Sequence, residues 1–139
     1  MILNDDIKSV LILDKIIVSE MSFKRSNEEI DSNELSINLE NQISRIEASN
    51  NYKVDLTVII EEKIKKSFDL KLSISGFFSF KVDDLEDEIK QLLLKKNTLS
   101  ILFPYLRAQI SLITSQPGME PIVLPPININ ALVENENVK

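Results

Sequence analysis

The sequence predicts an α+β protein: a four-stranded antiparallel sheet followed by helices packed on one face, in a chain that associates with copies of itself. Three observations carry this. Apolar and polar residues alternate through long runs as far as Val82, the period then becomes helical, and a Pro-rich segment, Pro121 to Pro126, follows. The 139 residues fit one domain, with sheet over about 8–82, helices over about 84–116 and an extended tail over 117–139.

The first strand, Val10 to Phe23, is rich in Ile, Val and Leu, interrupted by Asp14, Lys15 and Glu20. Strict alternation puts Leu11, Leu13, Ile17, Met21 and Phe23 on one face and Val10, Ile12, Ile16 and Val18 on the other. Both faces are therefore expected to meet protein. The polar run Lys24 to Glu34 is a loop long enough to cross over the sheet. In the second strand Leu35, Ile37, Leu39 and Ile43 alternate with Ser36, Asn38, Glu40 and Gln42, before the apolar set moves to Ile46 and Ala48. A bulge or bend near Ser44-Arg45 would absorb that change of phase.

The third strand has Tyr52, Val54, Leu56, Val58 and Ile60 on its buried phase. The fourth has Phe68, Leu70, Leu72, Ile74, Phe78, Phe80 and Val82, with Gly76 where a bulge or a close approach fits. Turns are expected at Asn50-Asn51 and within Glu61 to Ser67, which makes strands two to four an antiparallel meander.

Asp83 or Asp84 can cap a first helix with acidic Glu86, Asp87 and Glu88 at its start, basic Lys95 and Lys96 at its end, and a stripe of Leu85, Ile89, Leu92 and Leu93. Asn97-Thr98 reads as a break and a new cap. Leu99, Leu102, Phe103, Leu106, Ile110 and Ile113 then line a second helix ending before Pro117-Gly118, with Pro104 tolerable near its start. The Pro121 to Pro126 segment should run extended across a surface.

Composition removes most chemistry. With no His and no Cys, the commonest general base, the thiol nucleophile and nearly every zinc arrangement are absent, and a disulfide framework cannot form. Gly76 and Gly118 are the only glycines, too few for a Gly-rich phosphate loop. Asp83-Asp84 with Glu86 to Glu88 could hold a hard cation, although a solvated helix start explains them more simply. The net charge of −6 and pI near 4.7 lack the basic footprint of a nucleic-acid binder. The one dense basic cluster, Lys63-Ile64-Lys65-Lys66, reads as a solvated strand end.

No uncharged segment reaches the roughly 18 apolar residues of a transmembrane helix, and Asp5 and Asp6 stand where a secretory leader would be basic. A soluble, cytoplasmic protein is expected, without metal or cofactor. No enzyme is expected. Phe77 points away from the phase of Phe78 and Phe80, so it needs cover from another element, a partner subunit or a ligand chain.

Ile101-Leu102-Phe103-Pro104-Tyr105-Leu106-Arg107, followed by Pro125-Pro126-Ile127-Asn128-Ile129-Asn130-Ala131-Leu132, resembles the signature of the SecB protein-export chaperones. Ser75-Gly76-Phe77-Phe78-Ser79-Phe80 resembles that family's Gly-aromatic segment in the fourth strand, and Ile16 to Phe23 the end of its first. The resemblance implies sheet-joined dimers, tetramers with helices sandwiched between dimers, and an ATP-independent holdase that hands precursor proteins to the SecA motor. The alternative is a specialised relative dedicated to one partner, such as the antitoxin of a toxin-antitoxin system.

On this reading Phe23, Ile30, Phe77, Phe78 and Phe80 line a polypeptide-binding groove. Ile12, Ile16, Val18, Leu102, Tyr105, Leu106 and Gln109 form oligomer interfaces as a dimer or tetramer, and Glu20 lies on a translocase-docking surface. The chain departs from the family pattern in several places. It stops at Lys139, where the family continues into a C-terminal helix and acidic tail. The crossover loop offers only Ile30 where export chaperones often present aromatics; Ile129 and Asn130 replace the usual aromatic and acid; Lys24 is basic where an acid is common.

Overall fold

The computed structural model describes residues 10–27, 29–30, 34–47, 49–82 and 84–126, and within them four strands precede one helix. These are β1 (Leu11–Arg25), β2 (Leu35–Arg45), β3 (Asn51–Glu62), β4 (Phe68–Phe80) and α1 (Asp87–Ile113). The sheet order is β1-β4-β3-β2 with every pairing antiparallel. β2, β3 and β4 make the expected meander, while the chain after β1 crosses the sheet to reach its far edge.

Period-two patterning is obeyed in the two central strands. Tyr52, Leu56 and Ile60 of β3 stand opposite Phe78, Ile74 and Leu70 of β4, so they share one face, and all six are buried. Val82 does not join them: it lies beyond the end of β4 and is exposed. The opposite face is polar, with Thr57 Oγ1 2.7 Å from Ser73 Oγ and Ser75 Oγ donating to Asp55 Oδ1 at 2.5 Å.

β2 pairs with β3 in unbroken register from Leu35↔Glu62 to Arg45↔Tyr52, so the bulge expected near Ser44-Arg45 is absent. The change of phase falls in the following turn instead, where Ile46 and Asn51 are joined by a backbone bond of 2.9 Å and Glu47 takes φ 46°. Ala48 lies outside the described residues, and Asn51 already belongs to β3. The turn between β3 and β4 forms within the expected charged cluster, with Lys66 at φ 53°.

β1 corrects the strict alternation. Its register with β4 shifts between Leu13 and Lys15 and again between Val18 and Glu20, so Asp14 and Ser19 are extra residues. Each bulge inverts the faces downstream. Ile16, opposite Gly76, and Val18, opposite Ile74, therefore share the helix side with Leu13, Met21 and Phe23, whereas Ile17 turns away with Ile12.

The helical region is one helix rather than two. Asn97-Thr98 is no break: Thr98 is buried mid-helix with its hydroxyl donating to the Leu94 carbonyl at 2.6 Å. Buried positions advance by four, Lys90, Leu94, Thr98, Leu102, Leu106 and Ile110, so the contact line winds around a helix whose period is 3.6. That winding mimics two separate stripes in the sequence. Ile89 and Leu92, expected in the first stripe, are exposed.

Glu86 is the N-cap, without a side-chain capping bond, so Asp84 does not cap; Asp83 lies outside the described residues. Lys95 and Lys96 fall mid-helix, and the last turn has no basic residue. Pro104 consequently sits deep inside α1, where its missing N–H costs on the order of 3 kcal/mol. Burial of Phe103 just before it and of Leu106 and Ile110 beyond it keeps the helix in place, each fully buried apolar chain contributing about 1.5–3 kcal/mol.

α1 rests on β3 and β4, and Leu102 packs close against the sheet at Gly76. A Cβ built there would lie 2.6 Å from Leu102 Cδ2 and 2.8 Å from Phe78 Cε2, closer than any real contact. Gly76→Val should therefore destabilise the fold by about 1–3 kcal/mol through overpacking. Urea unfolding checks this, the expected result being a lower midpoint with an unchanged slope.

Candidate functional site

One helix covers the middle of the helix-side face and leaves apolar margins on both sides. Along β1, Val18 and Met21 are exposed at 42% and 51%, beside half-buried Leu13, Ile16 and Phe23. The Phe23 ring stands edge-on to Phe68, with centroids 5.4 Å apart, which fixes its position on this margin. Along β2, Ile37 is exposed while Leu35 and Ile43 are half-buried. Both β1 and β2 are edge strands of the sheet, so backbone groups lie next to these apolar margins.

The segment after α1 forms the wall of a cleft. Its path is held by side chains bonding to backbone: Arg107 Nε donates to the Leu124 carbonyl at 2.7 Å and Ser111 Oγ to the Ile122 carbonyl at 3.0 Å. Thr114 Oγ1 accepts from the Ile122 N–H at 2.8 Å, and Arg25 Nη1, from the end of β1, donates to the Gly118 carbonyl at 2.8 Å. Leu124 is buried, with Met119 and Ile122 packed against the core. The Pro-rich segment carries no helix or strand as far as Pro126, after which the residues lie outside those described.

Between this tail, the crossover loop and the start of β2 lies a cleft of about 480 Å³, lined by Arg25, Glu29, Ile30, Leu35 and the tail from Gly118 to Val123. Its floor and wall are mostly aliphatic. Such a surface can bury the side chains of an extended peptide at roughly 25 cal/mol per Å², with edge backbone for register. Among the described residues no group of His, Cys, Asp and Glu is placed to hold a metal ion, and no helix is long and apolar enough to cross a membrane.

The expected site residues separate. Phe23 and Ile30 lie on the helix-side margin and in the cleft. Phe78 and Phe80 are core residues, at 0% and 6% exposure, and offer no surface to a guest because α1 and the Tyr52 ring cover them. Phe77 is on the opposite face, with the Lys15 ammonium 4.6 Å from its ring centroid, so it shares no trough with Phe23.

Among the expected interface residues, Leu102 and Leu106 are fully buried under their own helix and cannot touch another subunit. Ile12 is separated from Ile16 and Val18 by the first bulge, which divides that patch between two faces. Tyr105 is exposed and Gln109 half-buried on α1. Glu20 is exposed on the outer face, 3.4 Å from Lys71 Nζ. Arg25, Arg107, Ser111 and Thr114 were not foreseen, since bonds from side chains to a distant irregular backbone leave no periodic trace.

The family model described as preprotein translocase subunit SecB matches residues 4–139. A protein-export protein SecB of Nitrosospira multiformis is 29% identical over 128 residues, 88% of this chain and 80% of that one. Its counterpart in Anaplasma phagocytophilum is 35% identical over 88 residues, 61% of this chain and 56% of that one. An uncharacterized protein of Methanocaldococcus jannaschii is 39% identical over 71 residues, 50% of this chain and 44% of that one. The chain thus spans about half the length of these last two relatives. Among solved structures, a Mycobacterium tuberculosis SecB-like chaperone in complex with an antitoxin peptide superposes with a TM-score of 0.67 at 12% identity, over 88% of this chain and 95% of that one. That likeness establishes the shared fold.

Thr114→Val keeps the shape of the side chain but removes the acceptor for the Ile122 N–H. With one net hydrogen bond worth about 1 kcal/mol, amide exchange at Ile122 should accelerate roughly fivefold while exchange in β3 and β4 stays unchanged.

Proposed function

The chain belongs to the SecB family, and on that premise we propose that it is an ATP-independent chaperone binding non-native polypeptides along the apolar margin of its helix-side face. The observation that carries this reading is the exposure of Val18 and Met21 on the same face as a sealed core, continuous with half-buried Phe23 on an edge strand. A guest in extended form would place alternate side chains on that margin and pair its backbone with the edge. Ile30 and the cleft beside it would extend the same surface. Many weak contacts on one client add through effective concentration, so affinity is broad.

Export of precursor proteins in the cytoplasm, with delivery to SecA, is the reading suggested by the names of the SecB relatives. Glu20 on the outer face, with its neighbour Lys71, would belong to the docking surface for that motor. Assembly as a dimer or tetramer would use the β1 edge with Ile12, and exposed Tyr105 and half-buried Gln109 on α1.

A second reading is a chaperone dedicated to one partner, such as an antitoxin. It is favoured by the fold shared with the Mycobacterium tuberculosis protein bound to an antitoxin peptide, and by a crossover loop whose apolar contribution to the cleft is Ile30. Aggregation assays on several unrelated unfolded proteins, without nucleotide, separate the two. Broad suppression, lost severalfold in Met21→Asp/Phe23→Ser, is expected of the general holdase; tight binding of one peptide with no suppression of the others would establish the dedicated form.

A further inference from the structure

The turn between β3 and β4 displays an isoleucine surrounded by cations, and we infer that this tip is a docking point for an anionic lipid surface. Lys63, Ile64, Lys65 and Lys66 are all exposed, Ile64 at 70%. Lys24, at the end of β1, joins them through a cleft of about 330 Å³ that both Lys24 and Lys66 line. Lys24, Lys63, Lys65 and Lys66 make no ion pair with a described residue. Their charge is available in a protein whose net charge is −6.

The tip is also held rigid from several sides. Lys63 is joined by its N–H to the Glu34 carbonyl at 3.0 Å, and the Lys65 N–H donates to Glu62 Oε1 at 3.2 Å. The Ser67 carbonyl accepts from the Ser26 N–H at 2.8 Å. Glu62 is fully buried, so its carboxylate is withdrawn from the tip's surface, while Glu61 and Asp69 line the Lys24 cleft and half-buried Glu34 lies beside Lys63. Lys66 holds a left-handed φ of 53°, a strained choice for lysine that carries the turn round and keeps Ile64 at its apex.

A convex tip with one apolar side chain and a ring of flexible ammonium groups fits a deformable, negatively charged plane better than a shaped protein groove. The ammonium groups meet lipid phosphates and Ile64 enters the boundary beneath them. The remainder of the protein, being acidic, is repelled, so attachment is oriented through this end, weak and sensitive to salt.

The test uses the full chain in flotation with vesicles of phosphatidylglycerol and phosphatidylcholine at low ionic strength. Binding is expected to these vesicles and not to phosphatidylcholine alone. Each lysine neutralised should weaken it roughly fivefold, so Lys63→Gln/Lys65→Gln/Lys66→Gln should lose on the order of a hundredfold. Ile64→Ser should weaken binding while leaving its salt dependence intact. Circular dichroism confirms that these exposed replacements leave the fold unchanged. Absence of binding to the anionic vesicles, equal binding by the triple variant, or binding to polyglutamate in place of vesicles would each overturn the proposal.

Discussion

The arrangement depends on a mismatch of widths. A helix is about 10 Å across, while four strands spaced about 4.8 Å apart make a wider face, so one helix cannot cover it. α1 seats itself where the fit is deepest, over β3 and β4, because Gly76 lets Leu102 approach the sheet backbone. The central strands become a dry core, and the same residue pattern continued into β1 and β2 is left at the margins. Sealed core and open apolar edge are therefore two results of one packing choice. Val18, Met21 and Ile37 are exposed because they occupy the outer strands of a face whose inner strands are occupied.

Much of this was legible in the sequence, and the parts that were not share a cause. The even-numbered apolar residues of β3 and β4 from Tyr52 to Phe80 named the core, since nothing interrupts their alternation except Gly76, which was readable as a close approach. Patterns fail where the chain changes phase without changing composition. The bulges at Asp14 and Ser19 reverse the faces of β1, yet an apolar residue stands on either side of each reversal. In α1 the contact line winds continuously, so Leu93 and Leu106 read as parts of different helices although both are buried along one. Family resemblance named the right fold but, being a likeness of sequence, assigned Leu102 and Leu106 to an interface that their burial forbids.

Lys90 illustrates how the winding is tolerated. The drift of the buried positions by four brings this lysine, only 5% exposed, onto the sheet at the first turn of α1. Its ammonium donates to Asn50 Oδ1 at 2.7 Å and lies 6.0 Å from the Phe80 ring centroid. A buried cation needs such partners, and both are supplied by the end of the sheet that α1 crosses first. The polar contact ties the helix start to the turn before β3. It anchors the helix start from the side chain and leaves the first-turn N–H groups without a side-chain cap from Glu86.

The tail explains why the margin near Ile30 remains open in part. Proline-rich backbone presents carbonyls and few N–H donors, so it cannot be added to a sheet edge as a strand. α1 and β1 instead meet it with side-chain donors from Ser111, Arg107 and Arg25, whose targets are the carbonyls of Ile122, Leu124 and Gly118. Those bonds recognise backbone rather than side chains, so the identity of the tail residues matters mainly through burial of Met119, Ile122 and Leu124. The tail closes the end of the cleft, and among the described residues no strand pairs with the outer edge of β1. A second extended chain would use the bonding mode that the tail cannot, strand addition, and so would not compete with it for the same donors. On the reading proposed above, the two modes would divide one apolar margin between the tail and a guest.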